Sequence, residues 1–192
     1  MKTNNPVFKV SYINNPEEKE DVHKWEDFFS APKDQCDNFG YCGVFSDCNS
    51  FNAGENECNC LPGFEPKSPR DWNLRDASQG CVTKRKGGMC GNGEKFVKLR
   101  EVKLPDTTNT RLDMNLDVKA CADLCLRNCS CMDYSSANVS EGSFSGCLTW
   151  YNELVDLREY PSGGQDFYIR LDAIEFGMLS YIYCLLVTMC LV

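Results

Sequence analysis

The hydrophobic pattern divides the chain into four stretches. Residues 1–33 are polar and acidic, with Glu17, Glu18, Glu20, Asp21, Glu26 and Asp27, and only Trp25, Phe28 and Phe29 add apolar bulk near the end. Such a segment cannot bury a core alone, so the pattern predicts a loosely held arm. From 36 to 81 no helical period appears, and turn formers such as Asp37-Asn38-Phe39-Gly40 and Leu61-Pro62-Gly63-Phe64 break the chain into short pieces. Phe96-Val97-Lys98-Leu99 alternates as a strand. Val118, Cys121, Cys125 and Cys129, with Leu124, recur at spacings of three and four. This predicts a helix with one buried face, and Asp117 stands where an N-cap belongs. Residues 145–150 and 166–171 read as strands of a sheet beneath that helix. Residues 178–192 are almost wholly apolar and carry no charge.

Cysteine changes this picture most. Twelve of the fourteen cysteines fall between Cys36 and Cys147, about a tenth of that stretch, the level of a disulfide scaffold. The close pairs are Cys58-x-Cys60, Cys121-x3-Cys125, Cys125-x3-Cys129 and Cys129-x-Cys131. None has the Cys-x2-Cys spacing of a zinc knuckle, and the one histidine, His23, lies outside the cluster. Bridges are therefore expected, and with them an oxidising, extracellular compartment. Cys184 and Cys190 sit in the apolar tail, outside the framework. The first six cysteines, Cys36, Cys42, Cys48, Cys58, Cys60 and Cys81, with a Gly-aromatic turn after Cys-x-Cys, have the pattern of an EGF-like module. So short a chain needs bridges because it cannot build a sufficient core. The second six, Cys90, Cys121, Cys125, Cys129, Cys131 and Cys147, suit an α+β module with one helix tied to a small antiparallel sheet. The expected organisation is an arm over 1–33, an EGF-like hairpin module over 34–82, the α+β module over 90–171 and a tail over 172–192.

A net charge of −8 argues against nucleic acid as a partner. The run Lys84-Arg85-Lys86 reads as a solvated linker. No catalytic residues are assigned: His23 sits in an acidic arm, and the carboxylates are scattered among turns. No metal or cofactor is expected either. Asp34 and Gln35 before Cys36 offer one carboxylate and one amide, but Ser50 stands where a calcium-binding module would place an acid or amide. Of the sequons Asn128-Cys129-Ser130 and Asn138-Val139-Ser140, Asn138 in a polar loop is the expected glycosylation site. Asn128 abuts a half-cystine at a helix end. The N-terminus has no apolar signal region, which beside the cysteine argument implies a missing preceding segment. The apolar tail is shorter than the ~20 residues of a membrane span and lacks flanking basic residues. A truncated anchor, a misread coding tail and a buried core helix all remain open.

Residues 30–43 (Ser-Ala-Pro-Lys-Asp-Gln-Cys-Asp-Asn-Phe-Gly-Tyr-Cys-Gly), 58–66 (Cys-Asn-Cys-Leu-Pro-Gly-Phe-Glu-Pro), Trp72 and Gly80-Cys81 resemble the S-locus glycoprotein region of plant receptors. Leu104-Pro105-Asp106-Thr107, the Cys121–Cys131 run, Gly146-Cys147-Leu148-Thr149-Trp150 and Gly164-Gln165-Asp166-Phe167-Tyr168-Ile169-Arg170 resemble the PAN/apple module of the same receptors. The family is that of the G-type lectin S-receptor-like serine/threonine-protein kinases and the related S-locus glycoproteins. Resemblance over 30–171 implies the extracellular part of a plasma-membrane receptor, or a secreted soluble relative. The implied partners are other receptor ectodomains or a protein or peptide ligand. Homodimerisation and membrane association through 178–192 are further expectations. The family's lectin domains are missing. The segment from Tyr12 to Glu18 looks closer to Trp25 than the family places it. No Gly-rich loop, His-Arg-Asp or Asp-Phe-Gly of its kinase is present, so no enzyme is expected. The resemblance carries over a crossed bridge order: Cys36–Cys48, Cys42–Cys58 and Cys60–Cys81. In the PAN-like half the expected bridges are Cys121–Cys147 from helix to strand, Cys125–Cys131 around the helix end, and Cys90–Cys129 from the remaining partners.

Overall fold

The computed structural model describes residues 8–13, 25–51, 56–85, 90–91, 93–138 and 145–179. His23, Lys86, Cys184, Cys190 and the tail beyond 179 lie outside the described residues, as do the side chains of 8–13, 25–31, Asn138 and Ser145. Where an arm was expected, β1 (Phe8–Ile13) pairs antiparallel with β2 (Trp25–Ala31), with an irregularity between Val10 and Ser11. The apolar and β-branched residues spaced along 8–13 supply strand propensity that the acidic composition of the whole segment obscures.

Short strands follow: β3 (Ser46–Cys48), β4 (Cys58–Cys60), β5 (Phe64–Pro66) and β6 (Cys81–Thr83), with the one-turn helix α1 (Pro69–Asn73) between the last two. The remainder comprises β7 (Lys95–Lys103), β8 (Thr110–Asp117), α2 (Val118–Arg127), β9 (Asp133–Asn138), β10 (Ser145–Trp150), β11 (Leu157–Glu159) and β12 (Gln165–Leu171). Residues 173–179 form a closing helical segment. Six bridges pair Cys36–Cys48, Cys42–Cys58, Cys60–Cys81, Cys90–Cys129, Cys121–Cys147 and Cys125–Cys131. Their Cα–Cα distances of 5.2–5.7 Å lie within the ordinary range for a disulfide.

The two cysteine groups do not fold as separate modules. One sheet of eight strands runs β4-β3-β11-β7-β12-β9-β10-β8. Its β3–β11 contact is parallel, with Leu157 opposite Asp47 and Arg158 opposite Cys48. The β3–β4 pair extends the long sheet, whereas β5–β6 forms a separate two-stranded pair. The main core crosses the junction. Leu61, Phe64 and Cys81 pack with Val102, Trp150, Leu154, Leu157, Phe167, Ile169 and Leu171. Close approach makes this tight: a Cβ on Gly63 (φ +82°) would lie 2.7 Å from a Leu171 methyl carbon.

The helix α2 forms for the reasons its sequence suggests. The Asp117 side chain accepts from the Ala120 N–H at 2.7 Å, and Cys121 and Cys125 are buried beneath it. Two expectations are corrected. The helix stops at Arg127, so Cys129 follows it rather than sharing its face. Leu124 is 42% exposed, because it lies about 100° around the helix from Cys125. The basic run is also corrected. Lys84 and Arg85 do not simply face solvent but approach the buried Glu175 carboxylate at 3.7 and 3.8 Å, and Arg85 also approaches Asp172.

Candidate functional site

Three places in this fold bring polar chemistry together: the β3–β11 seam, the end of α2, and the far edge of the sheet at β8. At the seam Arg158 is buried and reaches back across the junction. Its guanidinium donates to Asp37 at 2.5 Å, Asp34 at 2.7 Å and Ser50 at 3.2 Å, and lies 5.3 Å from the Tyr160 ring centre. Asp34 is the carboxylate weighed above as a calcium ligand. Its other oxygen accepts from the Cys36 N–H. The Lys33 N–H, followed by Arg158, holds the Asp37 carboxyl below the usual range. Asn49 donates to Glu159 at 2.8 Å, and Asp156 accepts from the Gly40 N–H and from Lys103.

Asp47 lies in the same seam, buried, with one carboxylate oxygen lacking a hydrogen-bond partner. Burial, then the Glu159 charge, pushes its carboxyl up to about 7, against a smaller opposing effect of the Asn59 side chain. A carboxyl raised above its unfolded value favours the fold while protonated. The contribution of Asp47 is therefore complete below about pH 4 and is lost as pH rises through 7. Asp47→Asn is expected to remove that loss. Urea midpoints at pH 5 and pH 8 should draw closer in the variant than in the parent, and an unchanged spacing would refute the assignment. Asp133, fully buried and pushed by burial to about 8, adds the same trend to both proteins and cancels in the comparison.

At the end of α2, Arg170 of β12 is buried beneath the helix. One guanidinium nitrogen donates to the Asn128 and Cys131 carbonyls at 3.0 and 2.6 Å. The other donates to the Leu126 carbonyl at 2.8 Å and to Glu94 at 3.3 Å. The arginine thus takes the Leu126 carbonyl at the helix end and the Cys131 carbonyl beyond it, and shares the Asn128 carbonyl with the Cys131 N–H. Sequence reasoning missed both Arg158 and Arg170. Arg170 stands between Ile169 and Leu171, but Arg158 is followed by Glu159, and neither carries a local signal of its burial.

The far edge is of a different kind. β8 is the last strand, paired only with β10 among the described residues. Leu112 and Met114 are 59% and 54% exposed. Nearby, Asp106, Asn109, Trp150, Asn152, Glu153 and Val155 line an open cleft of about 530 Å³. The Trp150 indole is buried and donates to the Asp106 carbonyl at 3.0 Å, so it packs the wall of the cleft and does not face a ligand.

None of the twelve half-cystines is a free thiol. The sulfurs of Cys42, Cys48 and Cys58 cluster within 4.8 Å because two bridges lie side by side. Asn138 ends β9, opposite Ser145. Asn128 caps α2, and its side chain accepts from the Ser130 N–H. No helix among the described residues is long and apolar enough to cross a membrane.

Comparison with known proteins places these elements. An S-locus glycoprotein domain model matches residues 9–68, and a PAN-like domain model matches 90–157. A G-type lectin S-receptor-like serine/threonine-protein kinase of Arabidopsis thaliana is 40% identical, over 91% of this chain and 24% of the relative. Another from the same plant, RKS1, is 48% identical over 80% of this chain and 19% of its own length. An S-locus-specific glycoprotein of Brassica oleracea var. alboglabra is 39% identical over 76% of this chain and 32% of its own. The chain thus spans between a fifth and a third of the length of these relatives.

Proposed function

The chain belongs to the plant family of S-locus glycoproteins and G-type lectin S-receptor-like kinases, and from that premise we propose that it serves as an extracellular recognition module within a receptor ectodomain. It contacts a protein or peptide ligand and other receptor ectodomains in cell-surface signalling, such as pollen recognition or defence. The supporting observation is that the buried charged groups are committed to structure. Arg158 and Arg170 tie elements together, while exposed apolar side chains stand on the sheet edge (Leu112, Met114), on α2 (Leu124, Leu126) and on loops (Phe39, Phe51). That division suits a binding surface on a stiff support. We read the first six-cysteine group as EGF-like in its crossed bridge order, with its β3–β4 pair continuous with the long sheet. Asn138 is the proposed glycan acceptor, testable by the mass lost on enzymatic deglycosylation.

The oxidised full chain is expected to bind a family ectodomain in sedimentation-velocity runs. It is expected to show no ATP binding and no phosphotransfer. Failure to bind at high micromolar concentration would reduce the module to a passive spacer. A second reading, a soluble glycoprotein, is favoured by the 39% identity to an S-locus-specific glycoprotein over three quarters of the chain. A transcript that continues past Val192 into a membrane span would decide for the receptor.

A further inference from the structure

We propose that the seam between the two halves holds a calcium ion, bound by the carboxylates of Asp47 on β3 and Glu159 on β11. Asp47 is 5% exposed, and its Oδ2 has no hydrogen-bond partner. A buried carboxylate oxygen without a partner is costly, and a bound cation removes that cost. Asp47 lies opposite Leu157 in the parallel β3–β11 pair, so Glu159, two residues further along β11, returns to the same face of the sheet. The Asn49 side chain, two residues beyond Asp47, donates to one Glu159 oxygen at 2.8 Å and holds that carboxylate at the seam. The Glu159 charge is felt at Asp47. Asn59, opposite Asp47 on β4, brings a further carboxamide. Sequence spacing does not mark this site, because its two acids lie more than a hundred positions apart.

Two carboxylates on one face, one of them buried, need a counterion. Arg158, the cation of the seam, extends from the other face of β11, and its guanidinium is engaged by Asp34, Asp37 and Ser50. Among the described residues no lysine or arginine forms an ion pair with Asp47 or Glu159. The donor set selects the ion. It is all oxygen, with no imidazole beside it, and the described cysteines are already bridged. Such a set suits calcium or magnesium rather than zinc or copper. Magnesium keeps several waters in a strict octahedron, for which the buried side of Asp47 leaves little room, whereas calcium accepts irregular ligand positions. An extracellular module with few charged ligands binds calcium at about 10⁻⁴–10⁻³ M. The ion clamps β3 to β11 on the face opposite the Arg158 cluster, so each face of the seam carries a tie between the halves.

Thermal unfolding of the oxidised full chain at pH 8 tests this, in EDTA, calcium chloride or magnesium chloride at matched ionic strength. Calcium at about ten times its dissociation constant is expected to raise the midpoint by about 3–5 °C over EDTA, and magnesium by much less. Asp47→Asn keeps the shape of the side chain and removes its charge. It should abolish the calcium shift, and Glu159→Gln should do the same. Asp113→Asn, at an exposed carboxylate on β8 away from the seam, should retain the shift. Isothermal titration with calcium alone should show one site in the parent and none in Asp47→Asn. No calcium shift in the parent overturns the site. An equal shift with magnesium, or one that survives Asp47→Asn, also overturns it and leaves only general screening of the net charge of −8.

Discussion

Replacing Arg170 by alanine is expected to destabilise the fold by about 3–5 kcal/mol, among the largest effects of any single substitution outside the bridges. The side chain is buried, and its loss strands the buried Cys131 carbonyl, leaves the partly buried Leu126 carbonyl without this donor, and leaves the Asn128 carbonyl with the Cys131 N–H alone. It also removes one partner of the buried Glu94. A methionine at the same position restores much of the volume but none of the donors. The two variants should therefore differ by only a small part of the total, because lost hydrogen bonds outweigh lost packing. Urea unfolding of the secreted chain measures both. A loss below 1 kcal/mol in the alanine variant, or a methionine variant as stable as the parent, would show that the arginine does not hold the helix end. Arg127, exposed on α2 with one bond to the Asp123 carbonyl, serves as the near-neutral control.

Loss of the Cys121–Cys147 bridge is expected to prevent secretion of a folded chain. It joins the first turn of α2 to β10 across 26 residues, and both cysteines are buried in the cluster with Cys125, Cys131 and Tyr134. Chain entropy alone assigns such a loop about 3–4 kcal/mol, a large share of the 5–15 kcal/mol by which domains are stable. Cys121→Ala with Cys147→Ala avoids leaving a reactive thiol and isolates the constraint. Secretion at the parental level with undiminished protease resistance would refute the expectation.

The two arginines mark where the sequence is legible and where it is not. The helix is readable because its determinants are local: an aspartate before the first turn and cysteines at spacings of three and four. The strands at 145–150 and 166–171 are readable from their β-branched and aromatic residues. β8 has a readable signal too, with Leu112, Met114 and Leu116 alternating with Arg111, Asp113, Asn115 and Asp117, although the sequence reading leaves it unassigned. The seam is not readable. Its strands are three residues long and pair across more than a hundred positions, from Asp47 to Leu157, so no local periodicity records the contact. Arg170 follows the same logic. Within Phe167-Tyr168-Ile169-Arg170-Leu171 it looks like an outward-facing polar position. Its burial depends on the helix end, which arrives from over forty residues earlier in the chain.

The seam also bears on how chains of this family can be recombined. Were the two cysteine groups beads on a string, either could be exchanged between relatives by a crossover anywhere in 82–90. In this fold Arg158 belongs to the second group, while Asp34, Asp37 and Ser50 belong to the first. Recombinants that bring the arginine from one parent and uncharged residues at 34 and 37 from another inherit a buried cation without its acids. For this chain, a foreign second half is expected to be tolerated only where its arginine meets acids at 34 and 37, so the seam sets a compatibility rule between the halves.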